Sequence, residues 1–348
     1  MGDCCNQDKT SKLARKSWGA FGKNEIGIKA KNDDTVRQVM EAIMLALAKK
    51  YKIALIDQRS IRLSSFSQDI INVQFAFQGQ SIQYNVPNFP NEFFRKTLFN
   101  EQDLVLVNAN HFSTSHQIYI AEELNEKQDL PTFYYNQKEH IIAFVEDFMH
   151  ANLPKLNGLV LMGGKSTRMG KDKGMLDYHG KPQREYVYDL LSGFCEEVYY
   201  SGRAEQFSEE NTNKIEDRFL NLGPMGGILS AMMSQPERAW LVVACDLPFI
   251  DKNTIDFLIK NRNPAKIATA FLDSQEQFPE PLVAIWEPKS YLTLYQFVSQ
   301  GYSCPRKVLI NSEIHLIKVP DKKALTNANE PKDYENAKKE LNKAFSNS

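Results

Sequence analysis

Apolar residues in the first 150 positions form short continuous runs and helical repeats. From Val36 onward they recur at helical spacing, which predicts a helix over 36–51 with Asp34 or Thr35 as its N-cap. A second repeat predicts a helix over 140–150. Compact apolar runs predict strands at 26–28, 52–57, 103–108 and 132–135. The first strand, the first helix and the second strand therefore form a βαβ unit with parallel strands.

The pattern restarts after Leu153-Pro154, where proline ends the preceding helix. Strands are predicted at 159–161, 198–200 and 240–244, and helices at 186–191 and 228–233. The almost continuous apolar run at 240–244 is typical of a parallel strand covered on both faces. The sequence thus predicts an α/β protein with two domains, 12–153 and 155–345, each with a mainly parallel sheet flanked by helices. A disordered tail over 1–11 precedes them.

Charge and composition narrow the class of function. The 348 residues include 42 basic and 43 acidic side chains, so no net charge draws the chain toward nucleic acid or an anionic membrane. The five cysteines show no C-x-x-C spacing, which argues against a disulfide framework or a cysteine zinc site. No run of about 18 apolar residues predicts a membrane span. These features predict a cytoplasmic location.

The strongest chemical signal follows the strand at 159–161. Gly163 and Gly164 let backbone N–H groups approach an anion closely. Four positive charges follow within nine residues, at Lys165, Arg168, Lys171 and Lys173, and they suit the oxygens of a polyphosphate. The loop matches neither the Walker A pattern nor the G-x-G-x-x-G fingerprint. A phosphate-binding loop is predicted, and the alternative is an ordinary turn with a solvated basic rim.

A carboxylate stands at the end of the strand at 240–244. Asp246 faces the crevice where α/β proteins bind ligands, and carboxylates together with phosphate oxygens hold Mg²⁺. The alternative is a turn aspartate before Pro248. A glycine-rich turn at 223–227 opens a helix and can present backbone donors. Together with the basic loop, these elements predict a metal–nucleotide site.

Several ordered motifs give the stretch from 156 to about 341 a resemblance to molybdenum cofactor guanylyltransferases. The loop follows the family pattern L-x-G-G-x-S-x-R-M-G-x-D-K. The further matches are His179-Gly180-Lys181-Pro182, Asp217 before the G-P-x-x-G turn, Cys245-Asp246-Leu247-Pro248 and Asn327-Ala328-Asn329-Glu330-Pro331. The resemblance implies a Rossmann-like nucleotidyltransferase fold. It also implies a Mg²⁺-dependent transfer of GMP from GTP to the terminal phosphate of molybdopterin, with release of pyrophosphate.

The resemblance also implies roles for residues of this chain. Lys173, Arg168 and Asp246 are the implied catalytic residues, and Asp246 also ligates Mg²⁺. The implied nucleotide contacts are Leu161, Met162, Gly163, Gly164, Lys173, Ser201, Asp217 and Asp246. Asn327, Asn329 and Arg306 are the residues implied to face the pterin.

Two positions depart from the family pattern. Ser201 stands where the family often has asparagine, and Met162 replaces its usual alanine. Gly163-Gly164 favours the guanylyl branch over the cytidylyl branch. The open alternatives are a related nucleotidyltransferase that uses CTP or another phosphate acceptor, and a non-catalytic carrier of the cofactor. Molybdoenzymes are the expected recipients of the product.

The first domain weakly resembles the GTP-binding adapter protein of the same pathway, on the stretches at 24–25 and 103–111. The position of its P-loop is taken by 30–35, which contain no glycine and two aspartates that repel phosphate. We therefore expect an adapter-like domain without NTPase activity. His111 and His116 are candidate ligands, and the alternative is that both are surface residues.

Overall fold

The structure is a computed structural model. It describes residues 21–22, 24–57, 75–78, 81–84, 99, 102–123, 129–163, 173–207 and 213–346. The chain divides into two compact units, residues 1–152 and 153–348. The tail predicted over 1–11 lies outside the described residues. No helix in the described ranges is both long and apolar enough to cross a membrane.

The first unit is built on a parallel sheet. Its described strands and helices are β1 (Glu25–Ala30), α1 (Asp33–Leu47), β2 (Ile53–Ile56), β3 (Phe75–Gln78), β4 (Ser81–Tyr84), β5 (Leu104–Asn108), β6 (Gln117–Ala121), β7 (Thr132–Tyr134) and α2 (Lys138–Ala151). The sheet has the order β2–β5–β1–β6–β7, and all its neighbouring strands are parallel. The strands on either side of α1 are therefore parallel but not adjacent, because β5 lies between them. Strands β3 and β4 form a separate antiparallel hairpin.

Helix α1 begins earlier than its apolar pattern indicates. The Asn32 side chain caps the helix by accepting the backbone N–H of Thr35 at 2.8 Å, so the predicted cap at Asp34 or Thr35 was wrong. The first turn is polar, and the apolar repeat starts only at Val36, one turn inside the helix. The helix ends at Leu47 rather than at Tyr51, because the chain turns there.

The second unit is a wider mixed sheet. Its strands are β8 (Leu156–Leu161), β9 (Val198–Gly202), β10 (Lys214–Glu216), β11 (Ala239–Ala244), β12 (Ala268–Leu272), β13 (Pro279–Trp286) and β14 (His315–Ile317). Its helices are α3 (Gln183–Ser192), α4 (Pro224–Ser234), α5 (Lys252–Lys260), α6 (Ser290–Ser299), α7 (Pro305–Ile310) and α8 (Pro331–Ser346). The strand order is β10–β9–β8–β11–β13–β12–β14. Strand β13 runs antiparallel to both of its neighbours, whereas the other pairs are parallel.

Hydrophobic side chains cover both faces of this second sheet. Leu159 and Val242 belong to one buried cluster, whereas Val160 and Val243 belong to another. Successive side chains of a strand point to opposite faces, so the two clusters lie on opposite sides of the sheet. All six residues of β11 are buried, as its continuous apolar run predicts. The predicted α/β class, with parallel sheets flanked by helices, is confirmed.

Two helices of the second unit also start before their apolar repeats. Helix α3 follows Pro182 directly, and α4 begins with Pro224 at its first position. Proline suits the first helical position, as at Pro224, because its missing N–H would have no partner in the first turn and its fixed φ fits the helix. The predicted starts at 186 and 228 were therefore late by about one turn.

Candidate functional site

A cavity of about 410 Å³ opens where three parallel strands of the second unit end. Strands β9, β8 and β11 are neighbours, so their carboxyl ends meet at one edge of the sheet. Residues from seven segments line the cavity: Leu161, Met162, Gly163, Lys173, Ser201, Gly202, Arg203, Gln206, Asp217, Phe219, Leu220, Asn221, Gly223, Pro224, Gly227, Ala244, Cys245, Asp246, Leu282 and Asn329. Eight of the residues implied by the resemblance are among them.

The loop after β8 is tied to the turn after β9. Gly163 has a φ of 81°, a left-handed conformation that favours glycine. The Gln206 side chain bridges the two segments, since its Nε2 donates to the Gly163 carbonyl at 3.0 Å and its Oε1 accepts the Arg203 N–H at 2.9 Å. Gln206 therefore holds the backbone of the loop at the rim of the cavity.

The bulk of Met162 is accommodated by a glycine on the next strand. Met162 is 1% exposed and belongs to the buried cluster on one face of the sheet. A Cβ at Gly202 would lie 2.8 Å from the Met162 Cε, so the missing side chain of Gly202 leaves room for the thioether. The departure from alanine at this position is thus absorbed by local packing.

Three polar side chains distant in sequence meet at one side of the cavity. Lys173 Nζ donates to Asn329 Oδ1 at 2.6 Å and lies 3.6 Å from Asp246 Oδ2. The backbone joins the same group, because the Ala328 N–H donates to the Asp246 carbonyl at 2.8 Å. Lys173 and Asp246 keep 21% and 22% of their side chains exposed, so both can reach a ligand in the cavity.

A second polar pair lies at the opposite end, where β9 and α4 approach. Ser201 Oγ donates to Asp217 Oδ1 at 3.2 Å. Burial raises the pKa of Asp217, although the Ser201 hydrogen bond and the charge of Arg203 oppose that shift. Gly227 allows the close approach of α4, since a Cβ there would lie 2.5 Å from Ser201 Oγ and 2.9 Å from Leu161 Cδ2.

Some residues implied by the resemblance are not brought together. Gly164 and Arg168 lie outside the described residues. Asn327 is exposed and does not line the cavity. Arg306 does not line the cavity either; its guanidinium donates to Glu280 Oε2 at 3.1 Å.

Other lining residues have no motif of their own. Arg203 and Gln206 follow β9 in a single 3₁₀ turn, and Asn221 adopts a left-handed φ of 65° before the glycine-rich turn. A polar turn directly after a predicted strand is the signal that points to Arg203 and Gln206. For Asn221, the signal is the N-x-G-P sequence, which is typical of a turn.

The chemistry of the cavity fits a magnesium ion shared with phosphates. Within the described ranges there is no group of three or more His, Cys, Asp or Glu side chains that could hold a metal. Mg²⁺ usually uses one or two carboxylates, and phosphate oxygens and water complete its shell. Asp246, partly exposed in the cavity, meets that requirement.

At the corresponding edge of the first unit, polar side chains form hydrogen bonds with one another. Asp33 accepts hydrogen bonds from Asn110 at 2.9 Å and Asn108 at 3.3 Å, and it contacts His111 Nε2 at 2.7 Å. These bonds lower the pKa of Asp33 to about 2, with His111 the largest cause. His116 stacks edge-on against Phe148 instead of joining this group.

The strand order, the glycine-bearing loop and the carboxylates at the strand ends together form a Rossmann-like α/β arrangement with a ligand cavity at the carboxyl edge of the sheet. Residues 158–313 match the family described as the MobA-like NTP transferase domain. The matched stretch lies entirely within the second unit.

The chain is also similar to curated proteins and to a solved structure. A "Molybdenum cofactor biosynthesis bifunctional protein" from Synechocystis sp. is 39% identical over 182 residues, which are 51% of this chain and 52% of that protein. A "Probable molybdenum cofactor guanylyltransferase" from Flavobacterium johnsoniae is 28% identical over 134 residues, 38% of this chain and 70% of the relative. The chain thus spans about half the length of the Synechocystis relative. The structure of molybdopterin-guanine dinucleotide biosynthesis protein A from Archaeoglobus fulgidus aligns at 24% identity with a TM-score of 0.47, and covers 54% of this chain and 99% of that one.

Proposed function

We propose that this protein is a molybdenum cofactor guanylyltransferase. It transfers GMP from Mg-GTP to the terminal phosphate of molybdopterin and forms molybdopterin-guanine dinucleotide. A phosphate oxygen of molybdopterin attacks the α-phosphorus of GTP, a new P–O–P linkage forms, and the bond to the β-phosphate breaks to release pyrophosphate. The observation that carries the proposal is the convergence of Lys173, Asp217, Asp246 and Asn329 in one cavity, together with the MobA-like family match.

The two ends of the cavity suit different parts of the nucleotide. Ser201 and Asp217 offer a hydroxyl and a carboxylate for the polar groups of the nucleoside. Gly163 and Lys173 face the triphosphate. Lys173 uses one of its three N–H donors on Asn329, so the others remain for phosphate oxygens. The lysine charge stabilises the negative charge that develops between the α-phosphorus and the departing pyrophosphate.

Asp246 is the residue that would hold Mg²⁺ together with the phosphates of GTP. The ion would neutralise phosphate charge and orient the pyrophosphate as a leaving group. Lys173, beside Asp246, contributes a positive charge that does not depend on the ion. No side-chain nucleophile is needed, because positioning and electrostatics account for most of the catalysis in phosphoryl-group chemistry.

The acceptor is proposed to enter on the Asn329 side. Asn329 is exposed, lines the cavity and accepts a hydrogen bond from Lys173 Nζ, which supports a contact of this residue with the acceptor. We assign Asn327 and Arg306 to parts of the pterin beyond the cavity lining. The product is expected to pass to molybdoenzymes, which use the dinucleotide form of the cofactor.

The direct test supplies the purified protein with Mg²⁺, molybdopterin and one nucleoside triphosphate at a time. We expect pyrophosphate and the dinucleotide to form with GTP far faster than with CTP or ATP. Faster turnover with CTP would assign the cytidylyl reaction instead, a comparison that Ser201 makes worthwhile because the family often has asparagine there. Absence of product with all three nucleotides, where a known guanylyltransferase is active, would contradict the proposal.

We propose that the first unit is an adapter-like domain that has lost nucleotide binding. The Asp33 carboxylate and its partners occupy the place where such a domain receives phosphate. Calorimetric titration with GTP should give one site per chain, and replacing Lys173 by alanine should weaken that site alone. A second site that survives this replacement would contradict the proposal.

A further inference from the structure

The segment that carries Asp246 has little regular structure of its own. It connects β11 to α5 and consists of turns and extended backbone over 245–251. Within it, the Ile250 N–H reaches the Leu247 carbonyl only at 3.4 Å. A carboxylate on such a segment depends on neighbouring elements for a fixed position.

Three side chains from one neighbouring region donate to three different backbone carbonyls of this segment. Gln183 Nε2 donates to the Leu247 carbonyl at 2.9 Å, and His179 Nε2 donates to the Pro248 carbonyl at 2.9 Å. Tyr186 Oη donates to the Ile250 carbonyl at 3.0 Å. A carbonyl only accepts, so these contacts also identify the amide nitrogen of Gln183 and the protonated nitrogen of His179. We call His179, Gln183 and Tyr186 the carbonyl clamp.

Burial of the Gln183 amide is energetically unfavourable unless its hydrogen bond to the Leu247 carbonyl compensates for it. Helix α3 buries Gln183, Val187 and Leu191 on one face, so an apolar residue is the expected choice at 183. Instead, Gln183 is fully buried, and its Oε1 has no hydrogen-bond partner among the described residues. Burying an amide with one unsatisfied oxygen is unfavourable. The hydrogen bond of its Nε2 to the Leu247 carbonyl is the compensating contact.

The histidine of the clamp is held in place by packing. Its ring stacks on Tyr186 with a centroid distance of 3.7 Å and an interplanar angle of 11°. Burial lowers the pKa of His179, so the neutral ring is favoured. The stacking fixes the ring plane and thereby the direction in which Nε2 donates.

The clamp and the Ala328 N–H hold the backbone next to Asp246 from two sides. Ala328 donates to the carbonyl of Asp246, and Gln183 donates to the carbonyl of the following residue, Leu247. The two peptide units after the Asp246 Cα are therefore both fixed from outside the segment. A carboxylate on a fixed backbone loses less conformational entropy when it binds a cation.

We propose that Gln183 and His179 are positioning residues that hold Asp246 in place to bind a divalent cation together with the nucleotide. The inference rests on the proposed function only in taking Asp246 as the cation ligand. Tyr186 supports the same segment from farther away, because its acceptor is four residues from Asp246.

The test measures cation affinity directly. Mn²⁺ is titrated into the full-length protein saturated with a non-hydrolysable GTP analogue, and free Mn²⁺ is followed by electron paramagnetic resonance. Gln183→Leu and His179→Ala should each raise the Kd for Mn²⁺ about 10-fold, as for other partners that orient metal ligands. His179→Gln, which keeps a donor, should recover most of the affinity. The KM for Mg²⁺ should rise in parallel, whereas kcat at saturating Mg²⁺ changes little.

Two variants on the same helix serve as controls. Tyr186→Phe should raise the Kd for Mn²⁺ less than Gln183→Leu does. Ser192→Ala removes a hydroxyl that bonds only within α3, to the Tyr188 carbonyl, and should leave the Kd unchanged. Affinity for the GTP analogue without metal and the thermal unfolding midpoint check that each variant is folded; if Gln183→Leu fails this check, His179→Ala and His179→Gln decide the question.

The outcomes separate this inference from the proposed function. Wild-type Mn²⁺ affinity in folded Gln183→Leu and His179→Ala overturns the inference and leaves the proposed function intact. A protein that makes no dinucleotide but shows the expected losses of Mn²⁺ affinity refutes the proposed function and supports the clamp. Unchanged Mn²⁺ affinity in Asp246→Asn overturns the premise that Asp246 holds the cation, and the inference with it.

Discussion

The two units of this chain end their parallel strands in opposite ways. In the second unit, the edge formed by β9, β8 and β11 opens into a cavity lined by residues from separate segments. In the first unit, polar side chains at the edge of β5 and β1 bond to one another. Parallel α/β sheets provide a binding edge by their topology, but the side chains at that edge decide whether it receives a ligand.

The start of α1 shows how polar groups at the strand edge of the first unit satisfy one another. A helix N-terminus attracts an anion, and here Asp33 and Asp34 in the first turn supply the negative charge from within the chain. Arg37 Nε donates to Asp57 Oδ2 at 2.8 Å, and Asn108 Nδ2 donates to Asp57 Oδ1 at 3.0 Å. The buried Asp57 is thus satisfied by protein groups. A phosphate entering this edge would meet the carboxylates of Asp33 and Asp57, which already accept hydrogen bonds from the donor groups there.

The largest effect is expected when the charged residues that line the cavity of the second unit are replaced. Replacing Asp246 by Asn or Lys173 by Ala should lower kcat/KM for guanylyl transfer about 10²–10³-fold, because each change removes charge that faces the reacting phosphates. Steady-state pyrophosphate release measures the effect.

A matched pair from the same unit controls for the loss of charge. Asp256 and Lys260 pair with each other on the surface of α5, with Nζ and Oδ2 2.6 Å apart. Asp256→Asn and Lys260→Ala should leave turnover within about 2-fold of wild type, since exposed ion pairs contribute little. Equal losses in both pairs would show that the cavity is not the reaction site.

The second-largest effect is expected from a change that disturbs the close packing of α4 against β9. Gly227→Ala places a Cβ against Ser201 Oγ and Leu161 Cδ2, so Ser201 must move away from Asp217. We expect the free energy of unfolding to fall by about 1–3 kcal/mol and the Kd for GTP to rise about 10-fold. Chemical denaturation and nucleotide titration measure the two effects.

Gly193 provides the control for an added methyl group. A Cβ at this position would have only the Leu190 carbonyl within van der Waals contact, at 3.6 Å. Gly193→Ala should change the unfolding free energy by less than about 0.5 kcal/mol and leave GTP affinity unaltered. If Gly227→Ala behaved the same way, the packing between α4 and β9 would not shape the nucleotide site.

The smallest predicted effect concerns acid stability of the first unit. The pKa of Asp33 is lowered to about 2 in the folded chain, so its contribution to stability is present above the unfolded pKa near 3.8 and is lost as the pH falls toward about 2. Asp33→Asn should therefore destabilise this unit at pH 7, and the difference from wild type should shrink between pH 4 and pH 2.

Urea unfolding followed by mass-spectrometric footprinting of the 33–47 peptides measures this change in the full-length chain. Asp34→Asn is the matched control, because Asp34 is 77% exposed and does not contact His111, Asn108 or Asn110. A difference between wild type and Asp33→Asn that stays constant from pH 7 to pH 2 would contradict the role assigned to the Asp33 carboxylate.

Periodicity predicted which elements exist better than where they begin or how they pair. The run at β11 is buried throughout, as its composition indicates. The starts of α1, α3 and α4 were each missed by about one turn, because a cap or a proline marks the first turn and the helical repeat of apolar residues begins later. The antiparallel direction of β13 has no signal in side-chain alternation, which is the same for either direction.

The candidate site divides in the same way. Motifs marked Gly163, Lys173 and Asp246, because close phosphate approach and cation binding require particular residue types at the ends of strands. Motifs do not mark Gln206 or Gln183, whose amides act through backbone carbonyls that only folding brings near. Arg306 was chosen by resemblance, and only the structure shows that its guanidinium donates to Glu280.

Local order along the chain was sufficient to predict the α/β class and to mark residue types that suit phosphate and metal. It was sufficient because hydrophobic periodicity, glycine conformations and charge act over a few neighbouring residues. The contact between Lys173 and Asn329, 156 positions apart, depends on packing across the whole second unit. Tertiary structure likewise decided that polar side chains line a cavity at one strand edge and bond to one another at the other, because only folding sets which polar groups satisfy each other.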